Sequence, residues 1–285
     1  MKIAFLILAH NNYEHLKRFL TALNDDSVHF FIHIDAKSPA PENLPFSEKT
    51  VFVPRETIYW GGFSMVKATL NLLEAAFSQG FDYYILASGQ DYPVKPHAFL
   101  QKCLNEGGEY MDVCISEEEI RVKTKKVLRY YWEKCDRRNK TSLQTLAVMG
   151  FEKSLRLLGV KKDLSQVPPI HHGAQWWALS HSCISYILNY LKENPQYLSF
   201  FKTALCPDES FFQTIVVHSP FKEQLKEGLT YADWSRGKTG PAMISLRHLQ
   251  LLEKEEHRFL ARKFDDCSLD IISLIDEKLR RSADV

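Results

Sequence analysis

The chain has 285 residues, 45% of them hydrophobic, so it can bury a large core in one large domain or two small ones. Its 36 Lys and Arg offset 35 Asp and Glu, for a net charge of +1. That balance excludes a global electrostatic field for nucleic acid or an anionic membrane and leaves only local basic sites.

The first half alternates two patterns. KIAFLILA (2–9) is a continuous apolar run, as in a strand covered on both faces. NNYEHLKRFLTAL (11–23) follows with a helical stripe of Leu16, Phe19, Leu20 and Leu23, and Asn11 or Asn12 as N-cap. VHFFIHID (28–35) and TVFVP (50–54) read as the second and third strands. In 64–80, Val66, Leu70, Leu73 and Phe77 recur at helical spacing between a Ser64 cap and a terminal Gly80. FDYYILASG (81–89) is a strand, a helix is expected near 97–105, and YMDVCIS (110–116) is another strand. This alternation predicts an α/β fold with a mostly parallel central sheet flanked by helices.

The second half is less regular. Residues 119–165 are rich in Lys and Arg and are expected to hold two helices. AQWWALS (174–180) is strand-like, and CISYILNYLKENP (183–195) is a helix with a Pro stop. Both LRHLQLLEKEEHRFLARKF and LDIISLIDEKLRRS are predicted helical. No repeat, low-complexity stretch or Gly/Ser linker interrupts the chain. One domain over 1–285 is expected, with a regular first half (1–116) and an elaborated second half (117–285).

The six cysteines, Cys103, Cys114, Cys135, Cys183, Cys206 and Cys267, form no CxxC or zinc-like spacing and are expected to be reduced. The longest apolar run, IAFLILA, is far shorter than the roughly 20 residues that span a bilayer. No signal peptide or membrane anchor is read, and a cytoplasmic location is expected.

Ligands of open α/β sheets bind beyond the carboxyl ends of the strands. Those ends carry His10-Asn11-Asn12, Asp35, Arg55 with Tyr59-Trp60-Gly61-Gly62, and Ser88-Gly89-Gln90-Asp91. Neither GxGxxG nor GxxxxGK[ST] occurs, which argues against a dinucleotide or a P-loop. Asp35 suits a ribose hydroxyl or a base N–H, or else a simple turn. His10 is placed to orient ribose or pyrophosphate, and a lone His in a turn is more often structural. Trp60 beside two glycines, and the pair Trp176-Trp177, offer flat apolar faces suited to sugar rings. In a strand only one of the paired tryptophans can face the site, and the other belongs to the core.

Seven ordered segments then acquire a joint meaning: LILAHNN, FFIHIDAKS, YWGGFSMVKATLNLL, YYILASGQDYPV, GAQWWALS, CPDESFFQTIV and FLARKFD. Together, over about 3–265, they resemble the core-2/I-branching β-1,6-N-acetylglucosaminyltransferase family, which includes peptide O-xylosyltransferases. The resemblance implies a GT-A type fold, a UDP-sugar donor, a hydroxyl acceptor on a glycan or other molecule, inversion at the anomeric carbon, and no metal or other cofactor. Eukaryotic members carry an N-terminal anchor; this chain is read as a short bacterial member. The family's catalytic glutamate falls on Glu209. Its strand-end aspartate falls on Asp35, and its diphosphate-binding lysine on Lys263. A second diphosphate-binding residue is an upstream arginine. An ungapped count reaches Gly240, and Arg236 and Lys238 of DWSRGKTGP are the nearest bases.

Single displacement needs a base for the acceptor hydroxyl and fixed charge for the departing diphosphate. Glu209 supplies the first; Lys263 with Arg236 or Lys238 supplies the second. No Asp-x-Asp occurs, and His33-Ile34-Asp35 is a thin site for a hard cation. Asp208 is expected to cap the following helix or to touch the acceptor. Both carboxylates also fit a bland reading as the acidic first turn of a helix, worth about 0.3–1 kcal/mol each. His171-His172 are read as an acceptor-side loop, and RVKTKKVLRYY (121–131) as a solvated helix face or a receiver of a charged acceptor. The alternatives are a catalytically silent sugar- or nucleotide-binding protein and, last, a glycoside hydrolase, which needs carboxyls roughly 5–10 Å apart across a cleft.

Overall fold

The computed structural model describes residues 1–133, 141–235 and 240–280. At its centre is β1 (Ile3–Ala9), whose seven residues are all buried. Successive side chains of a strand point to opposite faces, so one apolar run feeds two cores. Ile3, Phe5 and Ile7 enter one layer; Ala4, Leu6 and Leu8 enter the other. This is why the run is continuous rather than alternating.

In chain order there follow α1 (Tyr13–Leu23), β2 (Val28–Ile34), β3 (Thr50–Phe52), α2 (Ser64–Phe77), β4 (Tyr83–Ser88), β5 (Asp91–Pro93), α3 (His97–Asn105) and β6 (Glu109–Val113). Then come α4 (Glu117–Val127), α5 (Leu143–Leu157), β7 (Gly173–Ser180), α6 (His181–Glu193), α7 (Pro195–Phe201) and α8 (Phe211–Val217). The last elements are β8 (Leu225–Lys226), β9 (Thr230–Ala232), α9 (Leu249–Lys254), β10 (Leu260–Arg262) and α10 (Leu269–Ile275).

The main sheet has seven strands in the order β3-β2-β1-β4-β7-β6-β8. β1 pairs parallel with β2 and β4, β2 with β3, and β6 with β8. β7 alone is antiparallel to both its neighbours. The sheet is therefore mostly parallel, as the sequence predicts. One face packs on α1, α3 and α10 through residues such as Leu16, Leu100 and Ile272. The other packs on α2, α6, α7 and α8 through Leu72, Ile187, Phe201 and Phe212.

Two local readings are corrected. Ser64 is the first helical residue of α2 and not its cap; its amide donates to Glu133 Oε2 at 2.8 Å, and its hydroxyl accepts from the Tyr59 amide. FLARKF, expected to be helical, forms β10 after α9 has ended at Lys254. The residues favour a helix intrinsically, but pairing overrides propensity: β10 is antiparallel to β5 and parallel to β9. This small second sheet brings the end of β10 against the end of β4, where the Phe264 amide donates to the Gln90 carbonyl at 2.8 Å.

Candidate active site

The CPDES segment is a turn locked in place from several sides. Cys206 has φ 51°, in the left-handed region, and reverses the chain. Its amide donates to the Gly61 carbonyl at 2.8 Å, joining it to the YWGG loop. Pro207–Glu209 is one 3-10 turn, and Ser210 then leads into α8. All seven residues of α8 are buried. Gln213, within α8, donates from Nε2 to the Ala174 carbonyl at 2.7 Å, tying this mount to the start of β7.

The YWGG loop is equally fixed. The Tyr131 hydroxyl donates to the Trp60 carbonyl at 2.7 Å. Gly61 has φ +69°, and a Cβ there would lie 3.0 Å from Leu205 Cδ1. A Cβ on Gly62 would lie 2.1 Å from the Glu133 Oε2 that binds the α2 amide. The glycines thus let two loops meet at close range. The Trp60 side chain itself is 72% exposed beside this junction.

Asp208 and Glu209 are both half-buried. Burial, and then the negative charge of Glu209, push the Asp208 carboxyl up to about 7. Burial also raises Glu209, while Lys123 and Lys126 of α4 pull it back down. No side chain caps α8, so the expected capping role of Asp208 is not met. Sequence reasoning offered the α4 lysines as a solvated face or a receiver of a charged acceptor and did not link them to Glu209. Lys123 sits 2.9 Å from Glu119 and donates to Cys114 Sγ at 3.3 Å. His172, fully in the interior, ties this helix to the body through Thr124 Oγ1 at 3.1 Å. Most of the basic stretch is a solvated face, as read, but Lys123 and Lys126 act electrostatically on the Glu209 carboxylate.

A second cluster gathers where β4 ends. Asp91 is wholly buried; its Oδ2 accepts from the Ser88 amide at 2.8 Å, and its Oδ1 lies 3.7 Å from Arg262 Nε. Burial pushes its carboxyl up to about 6 against the pull of Arg262. The Arg262 guanidinium carbon lies 4.1 Å over the Trp176 ring. Lys263 follows, half-buried, its ammonium pulled down by burial and then by the charge of Arg262. Asp91 and Arg262 had no assigned role from sequence; the one signal of Asp91 was its place after an apolar strand, and Arg262 stood in a segment expected to be helical.

The other expected site residues divide clearly. Asp35 is buried, and its Oδ1 accepts from the Lys37 and Ile58 amides at 3.0 and 3.2 Å. It organises the strand-end loops while standing at the sheet's ligand edge. Arg55, expected to bind donor, donates to the carbonyls of Ile34, Asp35 and Ser38, so its guanidinium is engaged in pinning the Asp35 loop. His33 Nε2 accepts from the Glu56 amide at 2.8 Å, which removes it from any cation site. His10 is exposed at the end of β1. Trp176 is half-buried at the start of β7, but Trp177 is core, 2% exposed and packed on Phe212 at 5.4 Å. Strand alternation gives the reason, and Trp177 is withdrawn as an acceptor contact. Arg236 and Lys238 lie outside the described residues, as does Cys135; the other five cysteines are free. Among the described residues no group of three or more His, Cys, Asp or Glu is placed to hold a metal ion. No helix among them is long and apolar enough to cross a membrane.

Comparison with known proteins gives this geometry a family. A model of the Core-2/I-Branching enzyme matches residues 3–256. Xylosyltransferase 2 of Rattus norvegicus is 26% identical over 258 residues, covering 83% of this chain and 27% of that protein. A Bos taurus beta-1,3-galactosyl-O-glycosyl-glycoprotein beta-1,6-N-acetylglucosaminyltransferase is 24% identical over 319 aligned positions, covering 99% of this chain and 70% of that protein. A Caenorhabditis elegans xylosyltransferase is 24% identical over 266 residues, covering 87% of this chain and 30% of that protein. The chain spans less than a third of the length of the xylosyltransferases it matches. With a mostly parallel α/β sheet of GT-A type and a family match over nearly its whole length, the chain belongs to the Core-2/I-branching enzyme family.

Proposed function

We propose that this chain is an inverting, metal-independent glycosyltransferase that moves N-acetylglucosamine or xylose from a UDP-sugar to a hydroxyl of a glycan or other acceptor. The observation that carries the reading is Glu209: a half-buried carboxylate on a rigid turn, flanked by Lys123 and Lys126. A base needs a fixed position and a raised proton affinity, and burial raises that of Glu209.

In this mechanism the acceptor O–H gives its proton to the Glu209 carboxylate as its oxygen attacks the anomeric carbon. The bond from that carbon to the diphosphate oxygen breaks, and its electron pair leaves with UDP. Attack opposite the leaving group inverts the centre. Lys263, standing at the β4 end of the sheet, meets the new charge on the diphosphate. Trp176 and Arg262 form the adjoining wall, and Asp35 is offered to the nucleoside. Asp208, adjacent to the base, and exposed Trp60 are the acceptor-side contacts.

The test is transfer from UDP-N-acetylglucosamine and UDP-xylose in EDTA, with and without simple glycan acceptors. Turnover that survives chelation and vanishes in Glu209→Gln, with donor binding retained, supports the reading. Activity that appears only on adding manganese, or a Glu209→Gln variant as fast as the wild type, overturns it.

A further inference from the structure

Helix α5 is turned inside out. Leu143, Leu146, Ala147 and Gly150 recur at i, i+3, i+4 and i+7, and Leu157 with the C-cap residue Leu158 resumes that face at i+14 and i+15, after Lys153 and Ser154 interrupt it. In a globular protein such a stripe faces the core. Here Leu143, Leu157 and Leu158 are 83%, 77% and 76% exposed. The helix rests on the body by its other side, where Thr145 is buried and Val148, Glu152 and Leu155 are half-buried. Exposed apolar residues singly need no explanation, but two apolar clusters on one helix face, with a lysine between them, do.

The surroundings are basic. Between α5 and the end of α4 lies a cavity of about 790 Å³ lined by apolar groups including Leu146, Met149, Trp60 and Leu205. Lys125, Arg129, Lys153, Arg156 and Lys161 also line it. Among the described residues its one acidic lining group, Glu152, already accepts from the Trp132 amide at 2.8 Å. A second copy of this chain would bring these cations against their own counterparts across a two-fold axis. A surface that is apolar and negatively charged at once meets both features. We infer that α5 docks this protein on an anionic lipid bilayer, its leucines entering the headgroup boundary and Lys153, Arg156 and their neighbours pairing with lipid phosphates. The docked face adjoins Trp60 and Leu205, next to the Cys206–Glu209 turn. Acceptors held at the membrane surface would so arrive beside the candidate base.

The inference stands apart from the identity of the donor, because its test reads binding alone. The purified chain is sedimented with phosphatidylcholine vesicles, with and without a minority of phosphatidylglycerol, at low and high salt. It is expected to pellet with the anionic vesicles, to stay in solution with the neutral ones, and to be released by salt. Leu157→Ser with Leu158→Ser, and separately Lys153→Glu with Arg156→Glu, are expected to weaken partitioning at least about tenfold. These side chains are exposed, so the fold is retained, as circular dichroism checks. In the wild type, anionic vesicles are expected to protect the α5 amides from hydrogen exchange. Failure of the wild type to sediment with either vesicle overturns the inference. So does a concentration-dependent dimer that the leucine double variant dissolves, which would assign the stripe to a second copy.

Discussion

Replacing Asp208 by Asn should stabilise the protein, and by more as the pH rises. The Asp208 carboxyl is held at about 7 against 3.8 for an ordinary aspartate, chiefly by burial and then by Glu209. The folded chain therefore keeps a proton that the unfolded chain gives up earlier. For such a group stability is full below the unfolded value, falls between about 3.8 and about 7, and is level above. The difference sets a ceiling of about 4 kcal/mol, reached above about pH 7. Asn keeps the shape and removes the titration. At roughly 2–4 °C per kcal/mol for a chain of this size, the variant should gain several degrees in Tm near pH 8 and little near pH 4. Thermal unfolding followed by circular dichroism across that range measures it. A gain that does not change with pH, or a variant less stable than wild type at pH 8, would show that the site does not desolvate this carboxyl.

Glu209→Gln should lower turnover by about 10²–10⁴-fold in a transfer assay while leaving donor affinity intact. It should also move the Asp208 stability loss to lower pH, since one cause of the raised value is gone. Because burial raises Glu209, and the base proposed here works only when ionised, the acid limb of the rate profile should lie above the ordinary glutamate value, with activity falling as pH drops through it. Lys123→Ala should push that limb still higher, which a pH–rate series on the variant reads directly. Asp91→Ala should cost about 3–5 kcal/mol, because it leaves Arg262 charged, buried and without its carboxylate; chemical denaturation measures the loss. Gly62→Ala should drive the Glu133 carboxylate off the start of α2 and cost about 0.5–2 kcal/mol in Tm-derived stability.

Much of the sheet was legible because its signal is local. The apolar run of β1 and the stripe of α2 specify their elements without help from distant residues. β10 was not legible: Leu-Ala-Arg reads as helix, and only pairing with β5 and β9 makes it a strand. For the candidate site, Glu209, Lys263 and Asp35 were proposed through ordered motifs. Lys123 and Lys126 were not, because a basic helix face gives no sign in sequence of what it packs near. Arg55 shows the opposite limit: a free-looking guanidinium at a strand end donates to three backbone carbonyls, which its sequence position does not reveal. Of the two adjacent tryptophans, strand alternation required that one be core, and the packing of Phe212 decided which.

Every side of α8 is dry. A segment with no wet surface has no independent way to loosen, so the carboxylate carried at its threshold inherits the rigidity of the whole interior. Heating should then switch off chemistry and melt the protein together, with no warm, folded, silent form between. It also means that adaptation to new acceptors must come from the loops around this mount, since any change within it is felt by the entire core.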